Sequence, residues 1–131
     1  MHKKFLLSAA YLGAIAVALG AFGAHTLKDI LSPPFMLTFE TAVRYQFYHV
    51  FALLATGILY KSYPNKILVI AGRLFIFGII FFSGSLYLLT ILSLNAANNF
   101  RWIGAITPVG GMLFMAGWIC LAISIRKGTD Q

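Results

Sequence analysis

ILVIAGRLFIFGIIFFSGSLYLLTIL, residues Ile67 to Leu92, carries a single charged side chain, Arg73, in a run longer than a helix needs to cross the hydrocarbon core of a bilayer. Such a segment is stable in lipid only as a helix, because every backbone N–H and C=O must find its partner within the segment. Three further apolar stretches surround it: Phe5 to Ala24, Val43 to Tyr60 and Trp102 to Ile125. The chain of 131 residues is 60% hydrophobic and 10% charged, and its charges gather at the ends of the stretches or in the links between them. The sequence therefore predicts an all-α membrane protein. We expect a four-transmembrane-helix bundle with spans at approximately 5–24, 43–60, 67–92 and 102–125, forming a single integral membrane domain over residues 1–131.

The net charge of +7 is spread between apolar segments rather than clustered on a face, which argues against a nucleic acid partner. Cys120 is the only cysteine, so neither an intramolecular disulfide nor a cysteine metal cluster can form. His2, Lys3 and Lys4 before an apolar run resemble the start of a secretion signal. The run exceeds the ~7–15 residues of a signal core, however, and has glycine and alanine at packing intervals, so we read it as a retained first helix.

With four spans, the N-terminus, the link from Lys61 to Lys66 and the C-terminus share one side. That side holds Lys3, Lys4, Lys61, Lys66, Arg126 and Lys127, with Arg73 able to snorkel back to it; the other holds Lys28, Arg101 and Arg44. The positive-inside bias puts both termini in the cytoplasm. Between the first two spans lies a short amphipathic external segment. There, Thr26 to Leu31 suit an interfacial turn, and Ser32 before Pro33 and Pro34 reads as an N-cap with proline in the first helical turn. Phe35, Met36, Leu37 and Phe39 would then lie along the outer surface. Tyr63, Pro64 and Asn65 form a tight inner turn, and the polar residues at Asn95 to Asn99 form a second external loop.

Ala9, Gly13, Ala16, Gly20 and Ala24 recur at three- and four-residue spacing, the pattern that lets helices approach closely in lipid. Gly72, Gly78, Gly84, Gly104, Gly110, Gly111 and Gly117 offer further small surfaces. Pro108 inside the fourth stretch predicts a kink near Gly104. Tyr60, Tyr63 and Trp102 at span ends read as interfacial anchors, and Trp118 as a packing residue.

The residues least suited to lipid run from Glu40 to His49. Glu40 and Arg44 stand four apart in the favourable acid-before-base order, which predicts an intrahelical ion pair, and Tyr48 extends their stripe. Thr41, Tyr45 and His49 form a neighbouring stripe. At ~100° per residue, His49 points nearly opposite Glu40. The four-span topology places His25, these residues, Ser83, Ser85, Tyr87 and Thr107 in the outer half of the bundle. The candidate polar site is thus His25, Glu40, Arg44, Tyr45, Tyr48, His49, Ser83, Ser85, Tyr87 and Thr107, either lining a cavity open to the outside or closing a hydrogen-bonded interior.

His25 and His49 suggest metal or haem, yet no paired-histidine motif or cysteine cluster accompanies them, and we expect neither metal nor cofactor. Ser83 and Ser85 lie in an apolar helix with no acid nearby, so no catalytic residue is assigned.

Gly20 to His25, Phe39 to His49, Phe82 to Tyr87 and Gly104 to Gly111, in that order, resemble the successive signatures of the YgdD-like family of small membrane proteins, a domain of unknown function. The resemblance implies four spans and a bacterial inner-membrane setting, and implies no reaction. The reading reached from the sequence is a non-enzymatic protein that meets the lipid bilayer and binds a membrane-protein partner, another copy of itself or a small lipid-soluble ligand. A small transporter or channel entered through the polar layer is the alternative, and an intramembrane enzyme or quinone-site protein a third.

Overall fold

The computed structural model describes residues 1–95 and 101–128. Helices dominate them, as α1 (Lys3–His25), α2 (Pro33–Leu59), α3 (Lys66–Gly78), α4 (Gly84–Ser93), α5 (Arg101–Gly104) and α6 (Ile106–Gly128). A π-helical turn, Ile79–Ser83, joins α3 to α4, so these form one rod, and with α1, α2 and α6 the structure has four rods. Most of the external loop expected at Asn95 to Asn99 lies outside the described residues.

The rods pack in chain order. α1 lies antiparallel on α2, α2 on the α3–α4 rod, and that rod antiparallel on α6, with no comparable packing of α1 on α6 among the described residues. Small residues set both antiparallel hairpins. In the first, Gly13 meets Val50 and Gly20 meets Val43, each side chain 3.5 Å from where a glycine Cβ would stand. In the second, Phe114 fills the space over Gly78, and the Phe75 ring lies 2.8 Å from a Cβ position on Gly117. Each ring therefore occupies volume that the opposite glycine leaves open. Phe5, Leu53, Leu68 and Phe75 centre the main core toward the end of the bundle that carries the N-terminus.

A second, smaller core forms at the opposite end. The segment after α1 makes a 3₁₀ turn, Leu27–Asp29, and instead of lying flat it folds inward: Leu27 and Leu31 are buried with Phe39. Ser32 takes the extended N-cap conformation with proline behind it, which accounts for the early start of α2, although its hydroxyl caps nothing. α2 is therefore 27 residues, about 40 Å, and begins ten residues before the stretch 43–60.

Pro108 behaves differently from expectation. The helix is interrupted at Ala105, whose N–H returns to the Trp102 carbonyl at 3.1 Å, and α6 restarts at Ile106. Pro108 thus falls in the first turn of α6, where its missing N–H costs no hydrogen bond. The result is a break before the proline rather than a kink around it.

Lys3–Asp29, Lys66–Ser93 and Arg101–Gly128 are long and apolar enough to cross a membrane. α2 matches them in length, but Arg44, Gln46 and His49 lower its hydropathy. Large apolar side chains such as Val17, Phe51, Phe77, Ile80, Met115 and Ile119 face outward, at least half exposed. Water would penalise that much apolar surface, whereas lipid accepts it.

Candidate functional site

The polar stretch of α2 divides by helix face. Ala42, Gln46 and His49 turn inward, and Glu40, Arg44, Tyr45 and Tyr48 are exposed. His49 and Glu40 accordingly stand on opposite sides. The expected Glu40–Arg44 ion pair is not formed, since no ion pair of 4.0 Å or less joins them.

The inward polar side chains of α2 and of the helices facing them are paired, while at the other end of the bundle His2 Nδ1 is buried without a hydrogen-bond partner. The Gln46 amide N–H donates to the Leu12 carbonyl of α1 at 2.8 Å, and its oxygen accepts from the Tyr87 hydroxyl of α4 at 2.7 Å, so one side chain ties three helices together. Ser83 donates to the Ala42 carbonyl at 2.7 Å. Ser85 donates to the Phe82 carbonyl at 2.9 Å and pairs with Thr107 at 2.7 Å. Because Ser85 has one hydroxyl hydrogen, Thr107 is the donor in that pair. The π turn makes these contacts possible. Its wide loop, closed by Gly84 N–H to the Ile79 carbonyl, rotates α4 relative to α3 and brings Ser83 onto α2 while Ser85 meets α6.

His49 sits against the α6 face, its ring stacked on Phe114 with centroids 3.4 Å apart and 7° between planes. Trp118 Nε1–H points at His49 Nε2 from 3.3 Å, and an indole nitrogen only donates, so Nε2 is the acceptor. Nδ1 then carries the hydrogen and donates to the Tyr45 carbonyl at 2.7 Å. The ring is a neutral, fully engaged imidazole, with no lone pair left to bind anything else. No group of three or more histidine, cysteine, aspartate or glutamate side chains stands close enough to hold a metal among the described residues.

Polar contacts also occur at the end of the bundle that carries the N-terminus. There, Asn65 accepts from the Leu68 N–H at 2.9 Å as the N-cap of α3 and bonds the Ser124 hydroxyl at 2.8 Å, joining α3 to α6. Neither Gln46 nor the Asn65–Ser124 pair stood among the sequence candidates. Gln46 could have been found by asking which polar residue shares a face with Ala42, His49 and Leu53, since inward positions recur at three- and four-residue intervals.

The outward group is arranged differently. Glu40 and Arg44 edge an open groove between α1 and α2 of about 410 Å³, floored by Gly20, Gly23, Ala24, Met36, Phe39 and Val43. Gly23 is essential to its shape, for the Phe39 ring lies 2.6 Å from where a Cβ would stand. Tyr45 leans away from the groove onto Phe82, centroids 4.6 Å apart. Tyr48 is exposed a turn below Arg44, and His25 is exposed at the end of α1. Of the ten sequence candidates, then, His49, Ser83, Ser85, Tyr87 and Thr107 join the internal network, Glu40 and Arg44 share the groove, and the other three stand on the surface.

Apolar outward faces around a hydrogen-bonded polar interior define a helical membrane protein. More particularly, the chain belongs to the family described as Protein of unknown function (DUF423), which it matches over residues 19–111. It is 44% identical over 125 residues to a UPF0382 membrane protein of Staphylococcus saprophyticus, covering 95% of this chain and 98% of the relative. A UPF0382 membrane protein of Haemophilus influenzae is 41% identical over 127 residues, 97% of each chain. The Bacillus subtilis UPF0382 membrane protein YwdK is 34% identical over 126 residues, 95% of this chain and 98% of the relative. No solved structure matches.

Proposed function

We propose that this protein is a four-span, non-enzymatic component of the bacterial cytoplasmic membrane, both termini inside, that acts by binding a small lipid-soluble molecule in the groove between α1 and α2. Within its family we group it with the YgdD-like proteins, on the stretch Phe39 to His49. The length of α2 supports the fourth span, for counting about 20 residues back from Leu59 brings the chain to Glu40. The preceding seven residues of α2, about two turns, then stand outside the hydrocarbon layer with the Leu27, Leu31 and Phe39 core. The excess of lysine and arginine on the side of the termini supports the orientation.

One observation carries the binding reading: on the inner face of α2, Gln46 and His49 are hydrogen-bonded within the bundle, while on its outer face Glu40 and Arg44 keep their hydrogen-bonding capacity and face a groove of ligand size. The paired interior gives no support to a transport path through the bundle. A photoreactive residue replacing Ala24 tests the reading in cells, with one replacing the exposed Ile119 on α6 as reference. A discrete small-molecule adduct at position 24 and none at position 119 is the expected result. The same labelling at both positions would refute a specific site.

A further inference from the structure

Glu40 and Arg44 offer a carboxylate and a guanidinium one helical turn apart, about 6 Å along the axis, with neither spent on the other. Left in lipid, both charges would be costly. Their exposure on the groove edge means that whatever fills the groove decides how they are satisfied. A simple anion would pair with Arg44 and be repelled by Glu40, and a simple cation the reverse. A ligand with both charges on a short bridge satisfies the two together.

We propose that the groove holds an aminophospholipid of the phosphatidylethanolamine type, its phosphate on Arg44 and its ammonium on Glu40; this rests on the groove being a binding site at all. The order of the charges fits. Glu40 lies nearer the start of α2, hence nearer water, and Arg44 one turn deeper, as the ammonium of such a lipid lies on the water side of its phosphate. The match holds whichever way the protein is inserted. Arg44 presents a fork of donors suited to phosphate oxygens, and a primary ammonium donates hydrogen bonds to a carboxylate as a quaternary one does not. The apolar floor, with Gly23 level with Phe39 and Gly20 level with Val43, backs the headgroup and admits the glycerol backbone at its deeper, Val43 end. Below, the exposed faces of Tyr48 and Phe51 continue along α2 beside the acyl chains.

The test uses the full chain, purified, stripped of lipid and titrated in micelles with phosphatidylethanolamine, phosphatidylcholine or phosphatidylglycerol, with bound lipid counted by native mass spectrometry. The ethanolamine lipid should bind on the order of tenfold more tightly than either competitor, the difference expected of one charge-assisted hydrogen bond. E40Q and R44Q should each remove that preference. The double exchange E40R/R44E keeps both charges and inverts their order, and it too should lose the preference. Equal retention of the three lipids by the unsubstituted protein would overturn the proposal without recourse to any variant, and so would a preference that survives E40Q or the exchange. Preference for the glycerol lipid, abolished by R44Q alone, would overturn it in favour of a plain phosphate site. If position 24 captures a small molecule in cells while these titrations show no ethanolamine preference, the groove is a site and only its ligand is misassigned. Absence of capture refutes both.

Discussion

Two faces of the same few turns of α2 differ in what they leave undone. On the inner face, Gln46 and His49 use all the capacity their neighbours can meet, and they act as fasteners between helices. On the outer face, Glu40 and Arg44 are equally polar but unpaired, beside open space. A polar residue in a membrane helix is therefore not evidence of a site by its presence alone. The question is whether the fold has already satisfied it, and here that question separates the residues that fasten the helices from those left open.

The comparison can be broken most severely from the inside. Phe114→Ala removes the ring stacked on His49 and empties the space over Gly78, so the folded state should lose about 3 kcal/mol or more, read as a lowered unfolding midpoint in micelles. Next comes Gln46→Leu. It leaves the Tyr87 hydroxyl and the Leu12 carbonyl without their partner and should cost ~1–3 kcal/mol in the same measurement, although its volume is nearly conserved. Asn65→Ala deletes the α3 cap and the Ser124 bond together, for an expected loss of about 1 kcal/mol. The outer face should give the smallest response: Glu40→Gln and Arg44→Gln should each leave the midpoint within about 0.5 kcal/mol of the unsubstituted protein. A large destabilisation by either would place these charges among the fasteners and erase the contrast between the faces.

Much of this organisation is legible in the sequence because lipid enforces it. Apolar runs of spanning length announce the helices, and glycines at packing intervals announce close approach, as Gly13 against Val50 and Gly20 against Val43 bear out. Ser32 followed by Pro33 correctly marks the start of α2. The candidate site was less legible, for reasons that lie in the third dimension. Helical periodicity separates Glu40 from His49 but cannot say which of two polar stripes faces in, and so Tyr45 was grouped with His49 although it is exposed. Gln46 has neither a motif nor a charge to single it out, and its importance comes from Leu12 and Tyr87, remote in sequence. Four-residue spacing permits the Glu40–Arg44 ion pair but does not impose it, and the two side chains stand apart on the groove edge.

The π turn at Ile79–Ser83 has a consequence for how this chain tolerates change in length. A turn of that width takes in one residue more than a regular helix would, at a cost repaid by the contacts of Ser83 and Ser85. Deleting a single residue there would let the rod run on as plain α-helix with α4 kept in phase, whereas winding the same residues as plain α-helix would turn everything beyond by ~100°. Tyr87 would swing off Gln46, and Ser85 off Thr107, with no change in composition or hydropathy. The α4 part of that rod is thus phased by one surplus residue, and the winding of this single turn, rather than any gain or loss of surface, sets which side chains α4 turns toward α2 and α6.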